Sequence, residues 1–533
     1  MTHFSWPIDG SIVGVYLLAT MVVGIMVRRY VGKVEHFLVA GREMNVYLGV
    51  ASLAATEFGI VTCMYTAQNG YKYGFAGAIP GLTNVLAMFL IGYTGFGVKP
   101  LRDAGVMTIP ELFEQRYGRF VRWLSGVVIV LGGLLNMGVF LRMGGQFLVV
   151  CCGLDLRYLE VTMTALLIAV AVYTVLGGML SVLVTDFLQF VVMSAGLIAV
   201  TILVLLKVGW GNILAAVDRN YGAAGFNPFL HPDLGWQFAL SNTLTSLAAV
   251  LTWQPVIARV LAARDSRTGR RIYTRTSFFF IARWMLPGLW AMGALAAATV
   301  TPEKLAEIAQ RLGEKDGTLF AMPYFLGLTL PSGLMGILVA AMLAADMSTD
   351  SSYMLTWGSV IYNDILGPLR RRRPLSERAG LLWNRFIVAA IGLFLLFWGL
   401  WYRLEGDLWA YLQLTGTIYL AAMSVLLVAC AYWRGANNWG AIAAIVVGAA
   451  LPVIGLALDK LIQVPVRDAA GQIVMVGDVP KTIGWKSLYI GDHWLNIGTY
   501  AATAAAMIIG SWLKNMLVRP VDSDRGATRE VRS

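Results

Sequence analysis

The side chains best placed to do chemistry lie in residues 336–366, GILVAAMLAADMSTDSSYMLTWGSVIYNDIL. An apolar run there carries Asp346, Ser348, Thr349, Asp350, Ser351 and Ser352, polar groups that are costly at the depth of a bilayer. On a helix, Ala345, Ser348, Thr349 and Ser352 stand at i, i+3, i+4 and i+7 and share one face. Two hydroxyls and a nearby backbone carbonyl on that face make a row of uncharged oxygens. Such a row suits a hard cation that has shed its water better than a transition metal. On an isolated membrane helix the same hydroxyls would bond back to their own carbonyls or hold a neighbouring helix. Asp346 and Asp350 point about 100–140° away from this stripe at 100° per residue. They are expected beside a water-lined path or as partners for buried arginines such as Arg142 or Arg283. The other reactive residue types form no constellation. His3, His36, His231 and His493 are scattered, and Cys63, Cys151, Cys152 and Cys430 sit in apolar segments without metal or disulfide spacing. The cysteines read as packing residues, and no catalytic residue, enzyme activity or resident cofactor is expected.

The elements that must position these groups are membrane helices. Of 533 residues, 58% are hydrophobic and only 13% charged, with a mean hydropathy of +0.68. A soluble domain carries about 25% charge, so the chain is predicted to be an all-α, polytopic membrane protein. Apolar stretches of spanning length, about 20 residues each, fall near 11–28, 46–70, 76–97, 121–150, 157–176, 182–206, 236–260, 272–299, 333–362, 381–402, 409–433, 439–459 and 493–515. That predicts about thirteen spans in one transmembrane domain over 1–515, with a polar tail over 516–533. The net charge of +11 does not imply nucleic acid, because the basic residues cluster in alternate loops. They follow the first span (Arg28, Arg29, Lys33, Arg42), then recur at Lys99–Arg122, Arg259–Arg275, Arg370–Arg373 and beyond Lys514. The bias predicts an inner-membrane protein with its N-terminus outside and its C-terminus in the cytoplasm. No basic region precedes the first apolar run, so a cleaved signal peptide is not expected. The outer loop 300–320 contains PEKLAEIAQRLG, predicted as a short amphipathic surface helix.

Several segments, in order, resemble the sodium:solute symporter family. HFLVAGREM (36–44) resembles its FLAGR segment, and VMTIPELFEQRYG (106–118) its T-x-PE-L-x-RYG loop. YTVLGGMLSVLVTDFLQ (173–189) is similar to its YT-x-x-GG…TD-x-x-Q signature. AAMLAADMST (340–349) resembles its sodium-site helix, and ACAYWRGANNWGAI (429–442) its late WK/R…GA segment. The resemblance implies the inverted-repeat fold of the leucine-transporter type. Two five-helix halves, about 46–206 and 236–433, would be related by a pseudo-two-fold axis in the membrane plane. The first span of each half would be discontinuous near the midplane. SLAATEFGIVT, with Glu57 and Gly59 in its middle, and TWQP, where Pro255 lacks a backbone donor, allow those breaks.

The resemblance also implies a function and its residues. Sodium and a small organic solute would cross together by alternating access, with membrane lipid the only other surroundings and the oligomeric state open. A sensor on the same membrane core, or a symporter using another coupling ion, is the alternative. Sodium site one would join the carbonyls of Ala55, Phe58 and Ala345 to the hydroxyls of Ser348 and Thr349. A further site would join Asp186 to Ser348, Ser351 and Ser352, unless an arginine simply pairs with Asp186. Glu57, Thr62, Asn84, Trp253 and Gln413 are the solute-site candidates, with Trp284 and Tyr71 as aromatic lining. Sugar-carrying relatives use a Gln, a Glu, a Ser and a Gln where this chain has Thr62, Gly81, Asn84 and Gln413. Only the last agrees, which disfavours a sugar. The arginine that binds a carboxylate in sialic-acid relatives falls near Asn136.

Overall fold

Helices account for nearly all of the structure, a computed structural model that describes residues 3–370, 375–404, 407–466, 475–476, 479–480 and 482–517. Arg371–Arg373 and the basic residues and tail beyond 517 lie outside the described residues. The helices that carry the argument are α1 (Ser11–Val27), α2 (Val46–Thr56), α3 (Ile60–Tyr73), α4 (Ile79–Thr94), α5 (Arg119–Met137) and α6 (Phe140–Cys152). They continue with α7 (Leu159–Val208), α8 (Gly235–Thr252), α9 (Gln254–Ala262), α10 (Ser266–Ala296) and α11 (Leu334–Val360). The last four are α12 (Glu377–Trp401), α13 (Leu408–Tyr432), α14 (Asn438–Leu461) and α15 (Asp492–Leu517). Short antiparallel ladders, among them Gln463–Pro465 against Thr482–Gly484, qualify the all-α expectation between α14 and α15.

Among the described residues, ten helical segments are long and apolar enough to cross a membrane. Two of those segments each take in two expected spans. The stretch Ile60–Thr94 joins two expected spans through a tight turn, and α7 merges two more. Within α7 the join is Gly178, at φ +55°, where a Cβ would lie 2.5 Å from the Phe37 ring. Both the backbone and the close approach of Phe37 require glycine there. Helix α15 has the length of a span but is not among those ten segments.

Two spans are broken as the sequence allows. Between α2 and α3 the chain unwinds at Glu57–Gly59, and Gly59 is extended at ψ 164°. Between α8 and α9 the break is at Trp253, also extended at ψ 114°. Pro255 follows in the first turn of α9, where a missing N–H costs nothing. Helix α11 is buried without interruption from Leu338 to Val360. It packs against α1, α2, α5, α7 and α9, so its polar residues must find partners inside the protein. The amphipathic helix of the 300–320 loop is Pro302–Leu312, capped by Thr301 and burying Leu305, Ala309 and Leu312.

Candidate functional site

The hydroxyl face of α11 meets the break between α2 and α3. Thr349 Oγ1 lies 2.7 Å from the Thr56 carbonyl and 2.9 Å from the Ala345 carbonyl. In a continuous helix the Thr56 carbonyl would accept the Ile60 N–H; unwinding frees it. The approach is close enough that a Cβ on Gly59 would stand 2.7 Å from Thr349 Oγ1. Ala55, Phe58, Ala345, Ser348 and Thr349 are all buried. The Ala55 carbonyl accepts the Phe58 N–H at 3.2 Å, which fixes the turn of the break. Thr349 is therefore in direct contact with the unwound segment, and Ala55 and Phe58 flank that contact along the chain. Thr56 carries no signal in the sequence, for an ordinary threonine at a helix end looks like any other.

The second group of oxygens is occupied by a side chain. Ser348 donates to Asp186 Oδ1 at 2.6 Å, and Ser52 donates to Asp186 Oδ2 at 2.5 Å. Arg259 Nη2 forms an ion pair with the same Oδ2 at 3.1 Å. The guanidinium also donates to Thr56 and Ser352 at 2.5 Å, and to Ser52 and the Pro255 carbonyl at 3.1 Å. Arg259 and Asp186 are fully buried. Arg259 does not belong to the basic loop with which the sequence pattern groups it; it is buried in the bundle as the counter-charge of Asp186. A carboxylate there is tolerable only with such a partner and with its remaining lone pairs satisfied. Ser351 does not join this group, for its hydroxyl donates to the Ser348 carbonyl at 3.2 Å.

A cavity of about 110 Å³ adjoins the break, and Glu57, Thr62, Asn84, Trp253 and Gln413 all line it. Trp284 and Asn136 line it too, whereas Tyr71 does not. Glu57 pairs with Arg283 at 3.1 Å, and Tyr353 donates to the same carboxylate at 3.4 Å. The Trp253 indole donates to Tyr353 at 2.9 Å. The Gln413 amide reaches across to Ser241 and Thr245 at 3.1 and 3.2 Å. Thr349 is on the wall of this cavity as well as against the break. Arg142 is not a partner of Glu57; it pairs with Glu314 at 3.1 Å. Nor do Asp346 and Asp350 partner either arginine. Both are buried, Asp346 against Gly144, and Asp346 Oδ2 and Asp350 Oδ1 have no hydrogen-bond partner among the described residues.

Neutral oxygens at a helix break, next to a small cavity, are what co-binding of a dehydrated alkali cation and a solute requires. The sequence profile of the sodium:solute symporter family matches residues 37–448. The chain belongs to the sodium:solute symporter family. It is thus a sodium-coupled membrane transporter and not an enzyme. It is 27% identical over 490 residues to the sodium/mannose cotransporter SLC5A10 of Bos taurus, covering 86% of this chain and 80% of that protein. The sodium/glucose cotransporter 1 of Ovis aries is 27% identical over 480 residues, covering 83% and 70%. The sodium/myo-inositol cotransporter 2 of Mus musculus is 26% identical over 493 residues, covering 86% and 71%. A substrate-bound, outward-open Na+-coupled sialic acid symporter shares the fold, with a TM-score of 0.75 over 95% of this chain and 97% of that one, at 17% identity.

Proposed function

We propose that one sodium ion binds where the hydroxyl face of α11 meets the α2–α3 break, and that it is transported together with one small organic solute bound in the adjoining cavity. The observation that carries this reading is Thr349, whose side chain belongs to both places. The ion's oxygens are the carbonyls of Ala55, Phe58 and Ala345 and the hydroxyls of Ser348 and Thr349. Glu57, Thr62, Asn84, Trp253 and Gln413 face the solute. Arg259 acts as a tethered cation in the Asp186 group, so a second sodium ion is not needed to neutralise that carboxylate. Basic-loop asymmetry supports an N-terminus outside and a C-terminus in the cytoplasm.

Alternating access would rock the halves 46–206 and 236–433 about this site. Two networks fasten its ends. Arg259 ties α9 to α2, α7 and α11 on one side. On the other, Lys72 at the end of α3 bridges Asp316 at 2.6 Å and Asp407 at 3.1 Å. One sodium ion moving down about 100 mV gains roughly 2.3 kcal/mol, and a tenfold gradient adds about 1.4 kcal/mol. The sum supports accumulation of a neutral solute by several hundred-fold. Coupling follows if sodium binds more tightly to the solute-competent state, since equal affinity for both states shifts nothing. Proteoliposomes with an imposed inward sodium gradient test it. Solute accumulation should collapse when sodium is replaced by potassium, and accumulation indifferent to sodium would refute the proposal.

A further inference from the structure

The cavity's charges and its unspent hydrogen-bonding groups narrow the solute class, and this step rests on the symport reading above. Among the cavity's lining residues only Glu57 and Arg283 are charged, and they neutralise each other. A solute with a net charge would leave one charge uncompensated inside the bundle, which is costly. A simple carboxylate and a simple organic cation are both disfavoured on that ground. The neutral polar groups of the wall are largely committed to the protein. The Gln413 amide donates to Ser241 and Thr245. The Asn136 amide donates to the Leu412 carbonyl and Thr415, at 2.8 and 3.0 Å. Thr62 donates to the Glu57 carbonyl at 3.3 Å. A polyol, with a donor and an acceptor on every carbon, would have to displace these bonds.

What the wall leaves unspent has a polarity. Arg283 Nε and the Trp284 indole N–H, donors on consecutive residues of α10, lack partners among the described residues. Asn84 Oδ1, an acceptor, lacks one too. All three residues contribute to the cavity wall, and these three atoms are buried within it. A guanidinium N–H and the neighbouring indole N–H suit a carboxylate, and an acceptor with the Glu57 carboxylate suits an ammonium group. The Tyr65, Trp284 and Trp409 rings stand 4.9 to 5.6 Å from one another, giving faces for a cation and for an apolar side chain. The volume of about 110 Å³ is well below that of a drug-sized pocket. From these observations we infer that the solute is a small zwitterion of the α-amino acid type, its carboxylate on Arg283 and Trp284 and its ammonium on Glu57. The solute inserts its two charges into the Glu57–Arg283 pair, so every charge keeps an opposite neighbour.

The full chain in proteoliposomes tests this through radioactive sodium entry, measured with L-alanine, L-proline, D-mannose, myo-inositol, L-lactate or choline outside. An amino acid should stimulate sodium entry several-fold, and the other four should not. Arg283→Gln should weaken half-maximal stimulation by about 30-fold or more, as truncation of a buried charged partner does. Arg283→Lys should recover part of that loss, since it restores the charge without the fork. Stimulation by mannose, myo-inositol, lactate or choline, or by neither amino acid, would overturn the zwitterion. Sodium-dependent thermal stabilisation of the purified protein, measured without solute, separates this from the parent reading. If stabilisation persists while the amino acids fail, only the solute class falls; if it is absent, the sodium site itself falls.

Discussion

Replacing Arg259 by alanine should turn a sodium-indifferent oxygen group into a sodium-responsive one. The guanidinium makes five hydrogen bonds, to Ser52, Thr56, Ser352, the Pro255 carbonyl and Asp186. Its removal leaves Asp186 with hydroxyl donors at 2.5 and 2.6 Å, but with no positive charge beside it. Breaking a buried pair by removing one partner typically costs about 3–5 kcal/mol, because the remaining charge is uncompensated. The vacated space is bordered by the Asp186 carboxylate and the hydroxyls of Thr56, Ser348 and Ser352, a suitable set for a small hard cation. A ligand at 100 times its Kd returns about 2.7 kcal/mol, so high sodium should restore much of the loss. The assay is thermal unfolding of purified wild-type and Arg259→Ala protein in sodium or in N-methylglucamine, at equal ionic strength. The variant should be strongly destabilised in N-methylglucamine, recover in sodium, and bind one more sodium ion than the wild type. Arg259→Met with Asp186→Asn should restore stability without that extra dependence, since neither charge is left alone. Equal destabilisation of Arg259→Ala in both media would refute the idea that the arginine stands in for a cation.

Gly59→Ala should damage ion binding more than folding. Its Cβ would meet Thr349 Oγ1 at 2.7 Å, forcing the hydroxyl off the Thr56 carbonyl. We expect roughly tenfold or greater weakening of half-maximal sodium in a stabilisation titration, worth about 1.4 kcal/mol, and an unchanged value would count against the contact. The Lys72 latch should depend on pH. Burial alone would raise the Asp316 carboxyl, but the Lys72 charge and the hydrogen bonds from Lys72 and Thr318 outweigh it, holding the carboxyl below its ordinary value. A depressed carboxyl contributes stability above its unfolded value, about 3.9, and loses it as pH falls through the folded one. Asp316→Asn should therefore cost about 1 kcal/mol near neutrality, and the gap to wild type should close in acid. A gap constant with pH would contradict that assignment.

The apolar, helical character of the chain and the shared hydroxyl face of α11 were legible because both are local. Ser348 and Thr349 lie three and four residues from Ala345 on an apolar helix, and a helix fixes which face they share. The break at Glu57–Gly59 was legible as an acid and a glycine inside an apolar run. The break at Trp253 was legible through Pro255, which begins α9 rather than interrupting it. Pairings across the bundle were not legible. Arg259 sits only five residues before a run of basic residues, and composition alone groups it with them; contact with Asp186, 73 positions away, decides its role. The same holds for Thr56, whose importance comes from neighbours distant in sequence, among them Ser352, Arg259 and Thr349. Charge also misleads where distance is unknown. Arg142 and Arg283 were equal partners for Glu57 on sequence, and geometry gives Arg142 to Glu314 instead.

The most direct test of the account counts sodium ions on the purified protein by equilibrium binding of the radioactive ion, for wild type and for Ser348→Ala with Thr349→Ala. We expect one saturable ion per chain in the wild type and none in the double variant, with both proteins retaining their helical circular dichroism. Undiminished sodium binding by a folded double variant would contradict the claim that the hydroxyl face of α11 and the unwound segment at residues 57–59 hold the coupling ion.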